Sequence, residues 1–342
     1  MSAKGQKPAT VDTSAFYFLQ RALEPLRPLL DDPAVVEISV NRPGHAFVER
    51  RGMAVMEHHP IPALTALEIQ NLAERLAGAS HQFVSRAHPL LSTALPTGER
   101  VQVILPPAAV DGGALSIRKQ VISALTLEQF RDGGALDKVS VCVGGLSETD
   151  RLLIDLLRTG QIYEFICTAV RKRVSMLISG GTSTGKTTLL NACLKIVDAR
   201  ERIITLEDTR ELFPPQANAV HLVASRGDQG TAAVTVQSLL EAALRMRPDR
   251  LFVGEVRGPE AFALLRAINT GHPGSMSTVH ADTPLGAYEQ LAMMTQQAGL
   301  GSAYSKQDLM SYIQMVIPVV IQLHRAGGRR GVSEIYFARQ AP

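Results

Sequence analysis

The sequence predicts an α/β protein that combines a phosphate-binding C-terminal domain with a smaller α+β N-terminal domain. Residues 180–187 read GGTSTGKT and match the pattern G-x-x-x-x-G-K-[ST] at each fixed position. From residue 148 onward, strand-length apolar runs alternate with helical patterns, which indicates a parallel sheet with helices on both faces. Residues 14–119 instead combine several short strands with helices. The length of 342 residues allows each domain its own core.

The N-terminal segment predicts a disordered tail followed by an interrupted helix. Residues 1–13 are polar and form the tail. From residue 16 to residue 30 apolar side chains recur at the spacing of one helix face, but Pro25 and Pro28 interrupt the pattern. We therefore expect a short helix and a bent turn. Its apolar face can pack on the adjacent sheet or lie on a membrane surface, and the scarcity of Lys and Arg on the polar face favours packing.

The rest of the N-terminal domain predicts short strands and one longer helix. Apolar runs of strand length occupy residues 34–40, 46–49, 53–57, 100–105 and 114–119. Residues 42–45, Arg-Pro-Gly-His, suit a type II turn because Pro presets φ and Gly accepts a positive φ. Periodicity predicts a helix over residues 64–77 that ends near Gly78.

Residues 120–147 predict an interdomain linker. The stretch contains the pairs Gly133-Gly134 and Gly144-Gly145 and a single good helical pattern over residues 125–131. The alternating strands and helices begin after it, so we place the second domain at residues 148–342.

The phosphate loop predicts that this domain binds ATP with Mg²⁺. A short apolar run at residues 174–178 precedes the loop and a helical pattern at residues 188–196 follows it, as the motif requires. Backbone N–H groups of the loop would cradle the phosphates, Lys186 would reach the β- and γ-phosphates, and the Thr187 hydroxyl would join the Mg²⁺ shell. The predicted nucleotide-binding residues are Gly181, Thr182, Ser183, Thr184, Gly185, Lys186, Thr187 and Thr188.

Acidic residues follow two of the predicted parallel strands. Residues 203–206 run into Glu207 and Asp208, and residues 251–253 run into Gly254 and Glu255. Ligands gather at the carboxyl ends of strands in such sheets, so both clusters should face the nucleotide. We favour Glu207 as the base and Glu255 as the residue that holds Mg²⁺ or its water, although the sequence leaves the reverse assignment open. For Asp208, a structural ion pair with nearby Arg210 is equally compatible with the sequence.

A histidine-containing segment also points to the nucleotide. Residues 276–279 can form a strand that ends at His280, which would place this side chain near the γ-phosphate. On spacing alone, an ordinary core or surface histidine is the stronger alternative.

Composition limits the other classes of function. An apolar content of 45% and a charged content of 20% are typical of an ordinary soluble protein, and a net charge of +3 gives no basis for nucleic-acid binding. Cys142, Cys167 and Cys193 are far apart and form no C-x-x-C pair, so zinc-ribbon and redox motifs are unsupported. No signal peptide is visible, and the apolar run at residues 313–323 is too short to cross a membrane, so we expect a cytoplasmic protein with a buried strand or helix there.

Several segments resemble motifs of the secretion ATPases. Residues 203–212 resemble the Asp box, residues 244–258 the Walker B segment and residues 271–282 the His box of that superfamily. The N-terminal half is similar to the VirB-type ATPases of type IV secretion, over a resemblance that covers about residues 20–340. The matching N-terminal segments are residues 41–44, 89–92, 95–102 and 116–119.

The resemblance implies an enzyme that hydrolyses ATP to power a type IV secretion system. Members form homo-hexamers with RecA-like C-terminal domains at the cytoplasmic face of the inner membrane, where they work with inner-membrane components in pilus assembly and in translocation of protein or conjugative DNA. It implies that His280 contacts the γ-phosphate and that Arg100 and Arg118 reach the nucleotide as catalytic residues. Gly181 and Ser183 stand where many members carry proline and glycine. Linker length decides in this family whether an N-terminal domain covers its own or a neighbouring ATPase domain.

Three alternatives compete with this interpretation. A type II secretion or type IV pilus motor would usually carry a four-cysteine zinc module, which this sequence lacks. A RecA-like nucleic-acid motor would need aromatic and basic strand-binding loops, so we expect no direct sequence-specific nucleic-acid binding. A nucleotide switch without turnover conflicts with the complete set of catalytic candidates. The basic clusters at residues 171–173 and 329–330 are typical of solvated faces, with weak contact to anionic lipid or to an acidic partner as the alternative.

Overall fold

The structure of the protein, a computed structural model, consists of two compact units. The structure describes residues 13–120, 126–137, 139, 145–225, 232–300 and 304–339. The first unit comprises Met1–Lys119 with Val220–Thr235, and the second comprises Gln120–Ala219 with Val236–Pro342. Most of the expected N-terminal tail and part of the expected linker, including Cys142, lie outside the described residues.

The first unit is a six-stranded sheet with helices, in the strand order β3-β2-β1-β6-β5-β4. All of its paired strands are antiparallel. Its helices are α1 (Thr13–Ala22), α2 (Arg27–Asp31) and α3 (Ala66–Ala79), with a 3₁₀ turn at Glu24–Leu26. Its strands are β1 (Val35–Arg42), β2 (His45–Arg50), β3 (Glu57–Pro60), β4 (Leu90–Ala94), β5 (Arg100–Ile104) and β6 (Ala114–Arg118).

The core of the first unit contains one face of each main helix. The apolar stripe of the interrupted N-terminal helix is buried with that of α3, whose first turn is capped by the Thr65 hydroxyl, which accepts from the Glu68 N–H. The stripe therefore packs into the core, while Tyr17 and Phe18 of α1 stay exposed. The buried positions include Leu19, Leu23, Leu26, Ile69, Leu72 and Leu76.

Two strands of this sheet differ from the expectation. β3 lies at Glu57–Pro60 rather than at residues 53–57, because Gly52 has a φ of 80° and turns the chain before pairing begins. β4 had no apolar run long enough to predict it, and it forms by pairing with β5. Both are edge strands of the sheet.

The second unit is built on sheet strands in the order β13-β12-β7-β11-β10-β8. β12, β7, β11, β10 and β8 run parallel, and β13 is antiparallel to β12. Its strands are β7 (Met176–Gly180), β8 (Ile203–Glu207), β10 (Arg250–Val253), β11 (Met276–Val279), β12 (Val319–Ala326) and β13 (Arg329–Phe337). A further strand, β9 (Ala219–Val223), falls almost entirely among the residues of the first unit. Its helices are α4 (Leu127–Asp132), α5 (Glu148–Arg158), α6 (Ile162–Arg171), α7 (Lys186–Leu194), α8 (Val236–Ala243), α9 (Glu260–Asn269), α10 (Pro284–Thr295) and α11 (Lys306–Val316).

This arrangement confirms the expected α/β class with a parallel central sheet. The apolar run at residues 313–323 contains both of the elements that its sequence allows. α11 ends at Val316 and β12 begins at Val319, with Pro318 between them, because the residue before a proline is disfavoured in a helix.

A buried ion pair stabilises the amino-terminal edge of this sheet. Arg250 on β10 donates two hydrogen bonds of 2.7 Å to the Glu201 carboxylate and a third of 2.7 Å to the Val170 carbonyl. Gly274 lies directly against it. A Cβ on Gly274 would lie 2.8 Å from Nη1 of Arg250 and 2.8 Å from Cα of Arg173, closer than van der Waals contact allows.

We expect Gly274→Ala to destabilise the second unit by about 3 kcal/mol or more, because the added methyl displaces a buried charged pair. Gly271→Ala is the matched control. Gly271 also has a positive φ, 117° against 79° for Gly274, but nothing lies within 4 Å of the position that a Cβ would take. Gly271→Ala should therefore lower the free energy of unfolding by about 1–2 kcal/mol, from backbone strain alone. Chemical denaturation measures both, and equal losses would contradict the steric argument.

Candidate nucleotide site

The phosphate loop connects β7 to α7 at the carboxyl edge of the parallel sheet. Gly180 ends β7, and a Cβ there would lie 2.8 Å from the Leu323 carbonyl oxygen, so the close approach of β12 requires glycine. Gly185 has a φ of 100° at the N-cap of α7, and no side chain of the described residues caps that helix. The first N–H groups of α7 are therefore available to an anion.

The predicted nucleotide-binding residues lie along this loop and in the first turn of α7. Thr182, Ser183 and Thr188 are exposed, Gly181, Gly185 and Thr187 are half-buried, and Thr184 and Lys186 are buried. The Thr184 hydroxyl closes the loop by donating to the Gly181 carbonyl at 2.9 Å. Ser183 has a φ of 61°, a left-handed conformation that costs a non-glycine residue about 1–2 kcal/mol. A strained serine here fits a loop whose shape is set by its ligand.

Lys186 is held in the loop by backbone oxygens. Its ammonium donates to the carbonyls of Gly180 and Gly181 at 2.9 and 3.0 Å. Burial lowers the pKa of Lys186, partly offset by the carboxylate of Glu255. Burial removes water from around the ammonium and so disfavours its charge. An anion bound beside Lys186 would stabilise that charge in place of the lost water.

Lys186, His280 and Glu255 form a continuous polar chain beside the loop. His280 follows β11, and its Nδ1 lies 3.3 Å from Nζ of Lys186. Its other ring nitrogen, Nε2, lies 3.2 Å from Oε1 of Glu255, which follows β10. The parallel pairing of β7, β11 and β10 brings these three side chains to one edge of the sheet.

Arg257 completes this chain on its outer side. Its Nε and Nη2 donate to the two oxygens of Glu255 at 2.8 and 2.9 Å, and its Nη1 lies 3.2 Å from Oδ2 of Asp208. Burial alone would raise the pKa of Glu255, but Arg257, with His280 and Lys186, outweighs it and lowers that pKa. Glu255 is therefore an ionised carboxylate at neutral pH.

Asp208 forms an ion pair, one of the two alternatives that the sequence allowed, but its partner is Arg257 rather than Arg210. Arg210 instead lies over the ring of Phe213, 5.9 Å from its centroid. Arg257 lies in the segment that resembles the Walker B motif, residues 244–258, and no role was assigned to it from the sequence. Its spacing of two residues from Glu255 is the signal that was available.

Glu207 ends β8 in a more enclosed setting. Its Oε1 accepts from the backbone N–H groups of Glu211 and Leu212 at 2.8 and 2.9 Å, which fixes the carboxylate. Its Oε2 is buried and has no hydrogen-bond partner among the described residues. Burial raises the pKa of Glu207, opposed by the two backbone bonds. The two acidic residues of the site thus have pKa values displaced in opposite directions.

Arg100 and Arg118 belong to the first unit. They are direct cross-strand partners on β5 and β6. Nε of Arg118 lies 4.0 Å from Oε2 of buried Glu37, so one of the two arginines also has a carboxylate nearby.

The residues of the second-unit site fit a nucleotide-bound Mg²⁺ better than a metal centre made by protein alone. Among the described residues, no group of three or more His, Cys, Asp or Glu side chains is placed to hold a metal ion. The available donors are the Thr187 hydroxyl and the ionised Glu255, and Mg²⁺ usually takes only one or two protein ligands beside phosphate oxygens. No described helix is long and apolar enough to span a membrane.

Comparison with known proteins identifies one family. The model of the family described as "Type II/IV secretion system protein" matches residues 20–327. The type IV secretion system protein VirB11 of Bartonella henselae is 37% identical over 330 residues, which cover 92% of this chain and 91% of the relative. Protein VirB11 of Agrobacterium fabrum is 32% identical over 327 residues, which cover 94% of each chain.

A solved structure agrees with the sequence comparison. The crystal structure of the VirB11 ATPase from the Brucella suis type IV secretion system, in complex with sulphate, superposes with a TM-score of 0.89 at 33% identity. The superposition covers 95% of this chain and 97% of that one. These matches confirm the resemblance inferred from the sequence motifs and the ATP-hydrolysing activity that it implies. The chain belongs to the VirB11 family of type IV secretion ATPases.

Proposed function

We propose that this chain works as a homo-hexameric, Mg²⁺-dependent ATPase at the cytoplasmic face of the inner membrane, where it acts on inner-membrane components of a type IV secretion system. The observation that carries the proposal is the polar chain from Lys186 through His280 to Glu255 beside an uncapped helix N-terminus. These contacts bring a cation, a histidine and an ionised carboxylate together next to the loop, which supports His280 as a sensor of the γ-phosphate. The family membership supports the secretion role.

In the proposed mechanism the phosphate loop binds the ATP phosphates through the N–H groups of α7 and through Lys186. Mg²⁺, when bound, would neutralise the charge that develops on the transferring phosphoryl group, and Thr187 and Glu255 would hold the ion or its water. Glu207 takes the proton of the attacking water, since its raised pKa suits a base more than the lowered pKa of Glu255 does. The fixed orientation of Glu207 supports this role.

His280 and the arginines have supporting roles in this proposal. His280 exchanges its contact with Lys186 for one with the γ-phosphate, and so distinguishes ATP from ADP. Arg100 and Arg118 neutralise transition-state charge on the γ-phosphate, a role that can contribute about 10³–10⁵ in rate. Their cross-strand pairing concentrates two positive charges at one position of the sheet, which supports the assignment.

Two further classes of partner, nucleic acid and anionic lipid, are judged from the charge of the protein. The net charge of +3 does not support direct sequence-specific binding of nucleic acid. Weak contact with anionic lipid is proposed for the exposed basic residues at 171–173, which lie at the end of α6.

The assembly is tested by measuring ATP turnover per subunit over a wide protein dilution series, with mass measured by analytical ultracentrifugation at each concentration. We expect specific activity to rise in step with the hexamer population, because arginines from neighbouring subunits would complete the sites. A variant with the substitution Lys186→Ala is run alongside to exclude contaminating ATPases. A monomer with full specific activity would contradict the hexameric proposal.

A further inference from the structure

The β12–β13 hairpin continues beyond the sheet beside the phosphate loop. β12 is parallel to β7, and Leu323 pairs with Gly180, the last residue of β7. β12 then extends to Ala326, three residues past this pair. Gly327 and Gly328, with φ values of 55° and 78°, turn the chain back into β13. The tip of the hairpin therefore lies at the edge of the sheet where the nucleotide site is.

Arg330, near this tip, reaches the start of α7. A Cβ placed on Gly185 would lie 3.7 Å from Cδ of Arg330. Gly185 precedes Lys186 and occupies the N-cap of α7. The apolar stem of Arg330 would therefore be in van der Waals contact with a methyl group at Gly185, which places this side chain beside the helix N-terminus. A helix N-terminus in this motif is the place where phosphates bind.

The hairpin tip carries positive charge that the described chain does not neutralise. Arg330 pairs directly with Arg325 across the two strands, while Arg329 pairs with Ala326. Like charges directly opposite each other destabilise an antiparallel pair. None of these three exposed arginines forms an ion pair with a carboxylate of the described residues. An anion bound beside Arg325 and Arg330 would relieve this repulsion.

Arg330 approaches the loop from the side opposite the hydrolytic groups. In the sheet, β7 lies between β12 on one side and β11, followed by β10 and β8, on the other. His280, Glu255 and Glu207 all follow strands of the latter side. Arg330 comes from the β12–β13 side. The phosphate loop therefore lies between Arg330 and the residues proposed to act on the γ-phosphate.

We propose that Arg330 is a nucleotide-binding residue that contacts the α- and β-phosphates, with Arg325 adding positive potential behind it. This inference rests on the proposed ATPase function. Because ADP and ATP share these two phosphates, Arg330 stabilises both complexes, and it does so equally in the ground state and the transition state. Such uniform binding lowers KM without changing kcat.

The test is isothermal titration of the full-length protein with ADP and Mg²⁺, followed by steady-state ATP hydrolysis. Arg330→Ala is expected to raise the Kd for ADP and the KM for ATP by about tenfold each, which corresponds to about 1.4 kcal/mol. The kcat should stay within about twofold of the parent value. Arg330→Lys keeps the positive charge but lacks the planar guanidinium, so its Kd for ADP and KM for ATP should lie between those of the parent and of Arg330→Ala.

Arg329→Ala is the matched control, because it removes the same charge one residue away, on the opposite face of β13, and should leave Kd within about twofold. The inference is overturned if Arg330→Ala binds ADP like the parent, if Arg329→Ala weakens binding equally, or if kcat falls while Kd is unchanged. Loss of ADP binding in Lys186→Ala, with retention in Arg330→Ala, would overturn the role of Arg330 alone. A parent protein that bound no ADP would overturn the proposed function as well.

Discussion

Lys186→Ala is expected to lower kcat for ATP hydrolysis by about 10²–10³-fold, because the transferring phosphoryl group loses a preorganised positive charge. The side chain is buried in the loop and contacts two loop carbonyls and His280, so the substitution removes a positive charge that is held in place at the loop. The fold should survive the substitution. Burial lowers the pKa of Lys186, which means that the charged ammonium costs stability at neutral pH rather than adding to it.

The measurement is single-turnover hydrolysis at saturating ATP, together with thermal unfolding. Lys195→Ala serves as the matched control, since Lys195 is an exposed lysine at the other end of α7 and should leave kcat unchanged. Near-parental turnover in Lys186→Ala would contradict the site assignment. A large loss in unfolding temperature would instead mean that the loss of activity reflects unfolding.

The central site illustrates what local sequence can predict. The glycines, lysine and threonine of the loop are fixed by phosphate chemistry, so strand, loop and helix were predictable there. The strand itself was expected at residues 174–178 and lies at Met176–Gly180. The shift arises because Ser179 pairs with Val279 and Gly180 pairs with Leu323, and these partners lie about a hundred residues or more away in sequence.

Contacts within the site depended on strand order, which no local pattern contains. The motifs identified Glu255 and His280 as separate candidates, but their contact follows from β11 lying between β7 and β10. The pairing of Arg257 with Asp208 depends in the same way on β8 lying beside β10. Arg330 is a further case, because a short basic cluster is typical of a solvated face and only the register of β12 places it by the loop.

The two edge strands of the first sheet, β3 and β4, were respectively misplaced and missed for a different reason. β3 consists of Glu-His-His-Pro and shows no apolar alternation. Its strand conformation comes from hydrogen bonding to β2, in the register His45–Pro60, rather than from burial of side chains. Hydropathy patterns report burial, so they do not detect a strand that is stabilised mainly by its backbone.

Glu207→Gln is expected to lower kcat by about 10²–10⁴-fold while leaving the Kd for ATP nearly unchanged, as for loss of a general base. The amide oxygen of glutamine can still accept the N–H groups of Glu211 and Leu212, so the local geometry should be retained. The measurement is Kd for ATP by titration and kcat by steady-state assay. Glu211→Gln, in the same loop but exposed, is the matched control and should be silent.

The pH dependence of stability gives an independent check on Glu207. Burial raises its pKa in the folded protein, so the folded state favours the protonated carboxyl and the ionised form costs stability. That cost is absent below the unfolded pKa and present once the pH rises above the folded one. Glu207→Gln should therefore be at least as stable as the parent at neutral pH. Its advantage should shrink as the pH falls toward the ordinary pKa of a glutamate, about 4.3, and be lost below it.

The assignment of base and metal-holding residue is decided by comparison with Glu255→Gln. Glu255 has a lowered pKa and accepts two hydrogen bonds from Arg257, so it is an ionised carboxylate suited to hold Mg²⁺ or its water. Glu255→Gln should therefore raise the Mg²⁺ concentration needed for half-maximal activity. This effect should be larger than the fall in kcat at saturating Mg²⁺. Glu207→Gln should leave the Mg²⁺ requirement unchanged. Loss of a base lowers kcat even at saturating Mg²⁺, whereas loss of a residue that holds the ion raises the Mg²⁺ requirement. If the two variants exchanged these behaviours, the roles of Glu207 and Glu255 would be reversed. Both carboxylates would then still belong to one site, but the buried residue with the unpartnered Oε2 would hold the ion.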